Sequence, residues 1–236
     1  MTTTRHVRRL ARKVSTRSRR TLLTPVLRIE DDPSLVRLGS QDCGWWVPLD
    51  AVRPEAIAYC AGAGEDITFD LELHRRRMHV FTIDPTPRAV AHVAAVDPGD
   101  DRFTFVRMGL WHEPDELTFY APADPADVSH SVFNLQRTDA ADSFTARVDT
   151  IDSIMASHRH DHVDLLKLDI EGAESSVLPH LLRDDGPRPS VVCFEYDQPQ
   201  SSTALLRLLS TFRDRGYRLI RREKWNFTLR RASAER

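Results

Sequence analysis

Several features are scarce or missing in this 236-residue chain, and each absence removes a class of function. No apolar run approaches the ~20 residues needed to span a bilayer. The N-terminus lacks the apolar core of a secretory signal, so a cytoplasmic protein is expected. Only three cysteines occur, Cys43, Cys60 and Cys193, and none forms a CxxC pair. That pattern suits reduced thiols rather than a disulfide framework. The formal net charge is −2 with histidine neutral, so the whole molecule is not built electrostatically for nucleic acid. Neither GxGxxG nor GxxxxGK followed by Ser or Thr is present. Their absence disfavours an ordinary NAD site and argues against a P-loop nucleotide triphosphatase.

Acids are also missing from the start of the chain. Arg5, Arg8, Arg9, Arg12, Lys13, Arg17, Arg19 and Arg20 fall in sixteen positions without one. Val7, Leu10, Ala11 and Val14 recur at helical spacing. The stretch reads as a solvated basic arm or as an amphipathic helix touching an anionic membrane surface. The expected division is an arm over residues 1–30 and one domain over 31–236. From Asp31 to Pro54 the chain reads as irregular, punctuated by Gly39, Gly44, Pro48 and Pro54. The adjacent Trp45 and Trp46 would either cover a core edge or form a lid over a flat ligand.

The stretch Val163–Val177, VDLLKLDIEGAESSV, organises the remainder. Leu165, Leu166 and Leu168 mark a buried strand that ends at Asp169. In open α/β sheets, ligands bind outside the carboxyl ends of the strands. Asp169, Glu171 and Glu174 therefore stand either where chemistry occurs or where acids cap a following helix. Upstream, AIAYC at 56–60 is a first strand. It runs into Ala61-Gly62-Ala63-Gly64-Glu65-Asp66 and then a helix. Glycines there permit a tight turn and close backbone approach to a ligand. HVFTI at 79–83 is the second strand and ends at Asp84, twenty-two residues after Gly62. An acid at that distance suits both hydroxyls of a ribose, or it caps the helix that follows Pro87.

Further elements complete an alternating pattern. Phe103–Arg107 is a third strand. Glu116–Tyr120 and Phe144–Val148 are extended, with a Pro- and Asp-rich loop expected to be mobile at 121–142 between them. Asp149 is placed to cap a helix. The run His158-Arg159-His160-Asp161-His162 lacks a second cluster to complete a metal shell and reads as a solvated loop. Ser190–Tyr196 is the fifth strand and carries Glu195. Thr203–Arg215 is an amphipathic helix stopped by Gly216, and Tyr217–Arg221 with Phe227–Arg230 form a terminal antiparallel pair. The expected fold is α/β: a Rossmann-like, seven-stranded, mostly parallel methyltransferase sheet with that terminal hairpin and helices on both faces.

Asp164-Leu165-Leu166-Lys167-Leu168-Asp169-Ile170-Glu171-Gly172-Ala173-Glu174 resembles the signature of the FkbM-type methyltransferases. Gly64-Glu65-Asp66-Ile67 with Phe69-Asp70, Asp84-Pro85-Thr86-Pro87, and Gly109-Leu110-Trp111 followed by Phe119-Tyr120 match the same family in the same order. The resemblance implies methyl transfer from S-adenosylmethionine to a hydroxyl oxygen of a sugar or other natural-product small molecule. It implies cofactor contacts at Gly62, Gly64, Glu65, Asp66, Asp84, Met108, Gly109, Leu110 and Asp169. Asp169 is the candidate base, with Glu171 as its alternative. Asp169 and Glu195 could instead hold Mg²⁺, although nothing in the sequence requires a metal. Competing readings are an NAD-dependent sugar oxidoreductase and a non-catalytic Rossmann-like binding domain.

Overall fold

The computed structural model describes residues 27–99, 101–124, 129–134, 143–196 and 201–232. The basic arm up to residue 26, most of the 121–142 loop and Asp197 lie outside the described residues. In chain order the strands are β1 (Leu35–Leu38), β2 (Trp45–Pro48), β3 (Ile57–Ala61), β4 (His79–Ile83), β5 (Phe103–Val106), β6 (Gly109–Leu110), β7 (Asp115–Tyr120), β8 (Ser143–Asp149), β9 (Leu165–Leu168), β10 (Val191–Glu195), β11 (Tyr217–Glu223) and β12 (Asn226–Arg231). The helices are α1 (Thr68–Arg75), α2 (Pro87–Val96), α3 (Ile151–His158), α4 (Glu174–Leu181) and α5 (Ser202–Asp214).

Seven strands form one sheet in the order β11-β12-β10-β9-β3-β4-β5. The five strands from β10 to β5 run parallel, and β12 pairs antiparallel with β10 and with β11. This is the expected sheet, terminal hairpin included. Its centre is apolar because parallel strands are covered on both faces. All four residues of β9 are buried, Lys167 among them. The chain steps from β3 outward through β4 to β5, then returns to β9 and steps outward the other way. The crevice where the direction reverses lies above β3 and β9, and it is the natural ligand position of such a sheet.

Local sequence explains most helix ends. Thr86 accepts a hydrogen bond from Ala89 N with Pro87 at the first helical position, and Ser201 caps α5 in the same way. Asp149, expected as a cap, misses by one position. Thr150 caps α3, while Asp149 accepts the N–H of Thr150 itself. The 31–54 stretch is not wholly irregular, since β1 and β2 pair antiparallel and pack against α1 and the sheet. Trp45 is 2% exposed and lies in that core. The Trp46 carbonyl accepts from Thr228 Oγ1, and the Arg221 guanidinium sits 4.3 Å above its ring. The pair seals the core, and the lid reading falls.

The histidine run is also not simply a solvated loop. His158 closes α3 with its ring 4.7 Å from that of Phe81. His160 Nδ1 lies 2.8 Å from the Tyr59 hydroxyl, and burial pulls its pKa down. Arg159, Asp161 and His162 are exposed, whereas His158 and His160 are partly buried. Among the described residues, no group of three or more His, Cys, Asp or Glu side chains is arranged to hold a metal.

Candidate active site

A cavity of about 410 Å³ opens at the carboxyl ends of the central strands. Gly62 defines its floor. Its φ is +84°, and a Cβ added there would lie 1.8 Å from the Asp169 carbonyl oxygen. No side chain fits, so only glycine lets the ends of β3 and β9 approach so closely. Gly62 N donates to Ile83 O at 3.0 Å, and Asp169 N donates to Ala61 O at 3.1 Å. The turn is thereby stitched to a strand on either side.

Asp84 faces this turn from the end of β4. Its Oδ2 accepts from Ala63 N at 2.8 Å and Gly64 N at 3.1 Å, and its Oδ1 accepts from Thr86 N at 2.7 Å. Three of the roughly four lone-pair positions of a carboxylate are used. Asp84 thus has room for one further donor rather than the two of the sequence reading. Glu65 and Asp66 also line the cavity, but their carboxylates are engaged. Glu65 pairs with Arg88 at 2.7 and 2.9 Å. Asp66 accepts from Thr68 N, Thr68 Oγ1 and Ser40 Oγ. Burial opposes its ionisation, yet these hydrogen bonds outweigh burial and hold the carboxyl below its ordinary range.

The acidic turn after β9 is tightly wound. Glu171 and Gly172 have φ of +54° and +100°. Glu174 is 3% exposed and lies off the cavity. Its two carboxylate oxygens accept from Ile170 N at 2.6 Å and Gly172 N at 2.8 Å, so it braces the turn. Burial pushes its pKa up to about 8. Asp169 and Glu171 do line the cavity, and Glu195 reaches it from β10. Gly109 and Leu110 line it too, whereas Met108 is off the lining and packs on the core. A Cβ on Gly109 would come within 2.9 Å of Phe119 and Val148.

Sequence reasoning missed two basic groups here. Lys167, buried in β9, directs Nζ to Ala61 O at 3.1 Å and Gly62 O at 2.5 Å, and stands 3.7 Å from Asp169 Oδ2. His130 comes from the described part of the 121–142 loop. That part is stitched down by reciprocal backbone bonds between Tyr120 and Ser131, and by Ser131 Oγ donating to Glu171 O at 2.7 Å. Asp42 and Cys43 reach the rim from the β1–β2 turn, and burial raises the Cys43 thiol to about 11. Among the ionisable groups of the lining, the acids Asp42, Glu65, Asp66, Asp70, Asp84, Asp169, Glu171 and Glu195 outnumber the basic Lys167 and His130.

The family model for the methyltransferase FkbM domain matches residues 52–219. Among solved structures, the chain is similar to methyltransferase FkbM from Methylobacillus flagellatus KT, with 17% identity and a TM-score of 0.46. That likeness covers 74% of this chain and 43% of the other, so this chain spans less than half of that protein's length. Magnesium protoporphyrin IX methyltransferase from Synechocystis PCC 6803, with bound S-adenosylmethionine, is 12% identical over 78% of this chain and 74% of its own, with a TM-score of 0.43. Aeropyrum pernix fibrillarin, also with S-adenosylmethionine, is 9% identical over 85% and 83%, again at 0.43. No curated protein matches.

Proposed function

The chain belongs to the FkbM methyltransferase family, and from that premise we propose that it moves the methyl group of S-adenosylmethionine to a hydroxyl oxygen of a sugar or other natural-product small molecule. The observation that carries this reading is the carboxyl-rich cavity around a glycine turn that tolerates no side chain. S-adenosylmethionine brings a sulfonium and an ammonium, which such a lining attracts. The two phosphates of NAD would meet repulsion there, so the same observation weighs against the oxidoreductase alternative.

The residues present fit that cofactor. Gly62 and Gly64 leave backbone open to close approach, and Asp84 keeps one acceptor position for a ribose hydroxyl. Gly109 and Leu110 offer an apolar wall for a flat base, the part once expected of Met108 as well. When bound, the cofactor supplies an electrophilic methyl group on a positively charged sulfur. Asp169, whose side chain is 30% exposed at the end of the central strand, orients the acceptor hydroxyl and takes its proton as the oxygen is methylated. Glu171 on the same turn is the alternative base. Asp169 and Glu195 as a Mg²⁺ pair is the less favoured reading, because the Lys167 ammonium already stands 3.7 Å from Asp169. The acceptor is a small molecule. None of the described helices is long and apolar enough to cross a membrane, and a cytoplasmic location belongs to the same proposal.

The test is methyl-labelled S-adenosylmethionine incubated with a panel of hydroxyl-bearing sugars and natural products. Label recovered as an O-methyl ether supports the reading. Label recovered on nitrogen or carbon would overturn the oxygen specificity while keeping the transferase.

A further inference from the structure

Lys167 has no task in the chemistry proposed above. Strand register sets Cys60, Lys167 and Cys193 side by side across β3, β9 and β10, with Thr82 and Thr228 at the flanks. All five are buried. In this rung only Lys167 is long enough to reach the strand ends. Its Nζ donates to the carbonyls of Ala61 and Gly62 and faces Asp169. Asp70, which accepts from Thr82 Oγ1 at 2.5 Å, and Asp84 complete its acidic surroundings. Burial works against the ammonium, but Asp169 and Asp70 outweigh it and hold the group protonated. An unbranched apolar side chain would fill the space without the cost of desolvating a charge.

We propose that Lys167 is a specificity-determining residue: from beneath the cavity floor its ammonium offsets the carboxylates, and it sets the ratio in which the cavity binds S-adenosylmethionine and S-adenosylhomocysteine. The inference rests on the cofactor reading above. The two ligands differ by one methyl group and by the positive charge on sulfur. A lining made only of carboxylates would hold the sulfonium far more tightly than the thioether. Sulfur loses its charge as the methyl group leaves, so that extra hold would stabilise the ground state more than the transition state and slow transfer. A fixed positive charge in the floor reduces the excess.

Calorimetric titration of both ligands at pH 7.5 into the wild type, Lys167→Met and Asp70→Asn tests this. Lys167→Met should raise the preference for S-adenosylmethionine over S-adenosylhomocysteine by roughly three- to thirty-fold, the order expected for one unit charge at an effective dielectric of ~20. Asp70→Asn, which removes a carboxylate from the same floor, should lower that preference. A lysine that merely clamps the glycine turn would change both affinities by the same factor, and an unchanged ratio in Lys167→Met would overturn the proposal. If Lys167→Met does not fold, Asp70→Asn decides alone, and an unchanged or raised ratio there overturns it equally. Failure of the wild type to bind either ligand would instead sink the cofactor reading itself.

Discussion

Strand β9 is bracketed by two aspartates that do opposite work. Asp164, just before it, is sealed: its side chain is 6% exposed and accepts from Arg53 Nη2 at 2.6 Å and from Ile57 N at 2.8 Å. Its backbone also bonds to β3 and β10, so it ties the beginnings of three strands together. Asp169, just after the strand, is 30% exposed, faces the cavity, and has a buried lysine at 3.7 Å. The same side chain is a fastener at the amino ends of the sheet and a candidate reagent at the carboxyl ends. The difference follows from the fold. Parallel strands leave their carboxyl ends around an open crevice, and there a glycine turn and a tight acidic turn replace the close fastening seen below.

This contrast can be broken by substitution, and the largest effect is expected at the upper end. Asp169→Asn should lower turnover ~10²–10⁴-fold while melting temperature and the affinity for S-adenosylhomocysteine, whose sulfur is uncharged, hold. Near wild-type turnover would reduce Asp169 to a second fastener and move the search for the base to Glu171 and Glu195. Gly62→Ala should cost at least ~2 kcal/mol in denaturant-measured stability and abolish S-adenosylhomocysteine binding, because its Cβ must displace the Asp169 carbonyl. An intact Gly62→Ala protein that still binds would contradict the closeness of the two strand ends.

At the lower end, Asp164→Ala should cost ~1–3 kcal/mol, chiefly by leaving Ile57 N unpaired. Arg53 adds little, since its side chain is 58% exposed. Cofactor affinity should stay within about twofold of wild type, a limit that follows from the distance between independent sites. A large affinity loss would show that the two ends of β9 are coupled. A pH-dependent effect is expected at Glu174, whose pKa is raised from 4.5 to about 8 by burial. The folded state holds a proton that the unfolded chain releases. Its contribution is therefore full below pH 4.5 and is lost as pH rises toward 8. Stability of the wild type should fall relative to Glu174→Gln across that window. A gap independent of pH would place the Glu174 carboxyl at an ordinary pKa.

The ends of the strands are easier to read in the sequence than the partners of the residues that stand there. Strands β3, β4, β9 and β10 announce themselves as apolar runs, and the glycine turn, Asp84 and Asp169 follow from where those runs stop. Partners do not follow from runs. Asp84 is engaged by Ala63, Gly64 and Thr86, which its position alone does not disclose. Lys167 interrupts an apolar run, and periodicity cannot tell that its stem is buried while its ammonium reaches the strand ends. His130 is brought in by the pairing of Tyr120 with Ser131 and by Ser131 Oγ on Glu171 O, contacts made by a loop segment with no periodic pattern of its own. The β1–β2 hairpin was hidden by Gly39, Gly44 and Pro48, residues that also occur in loops.

Calorimetric titration of the wild type with S-adenosylhomocysteine and, separately, with NADH tests most directly whether the upper end of β9 is a site for the S-adenosylmethionine cofactor pair rather than a nicotinamide dinucleotide. The expected result is saturable binding of S-adenosylhomocysteine at one site per chain, abolished by Gly62→Ala and held within about twofold in Asp164→Ala, with no heat from NADH. Saturable binding of NADH without S-adenosylhomocysteine would contradict it.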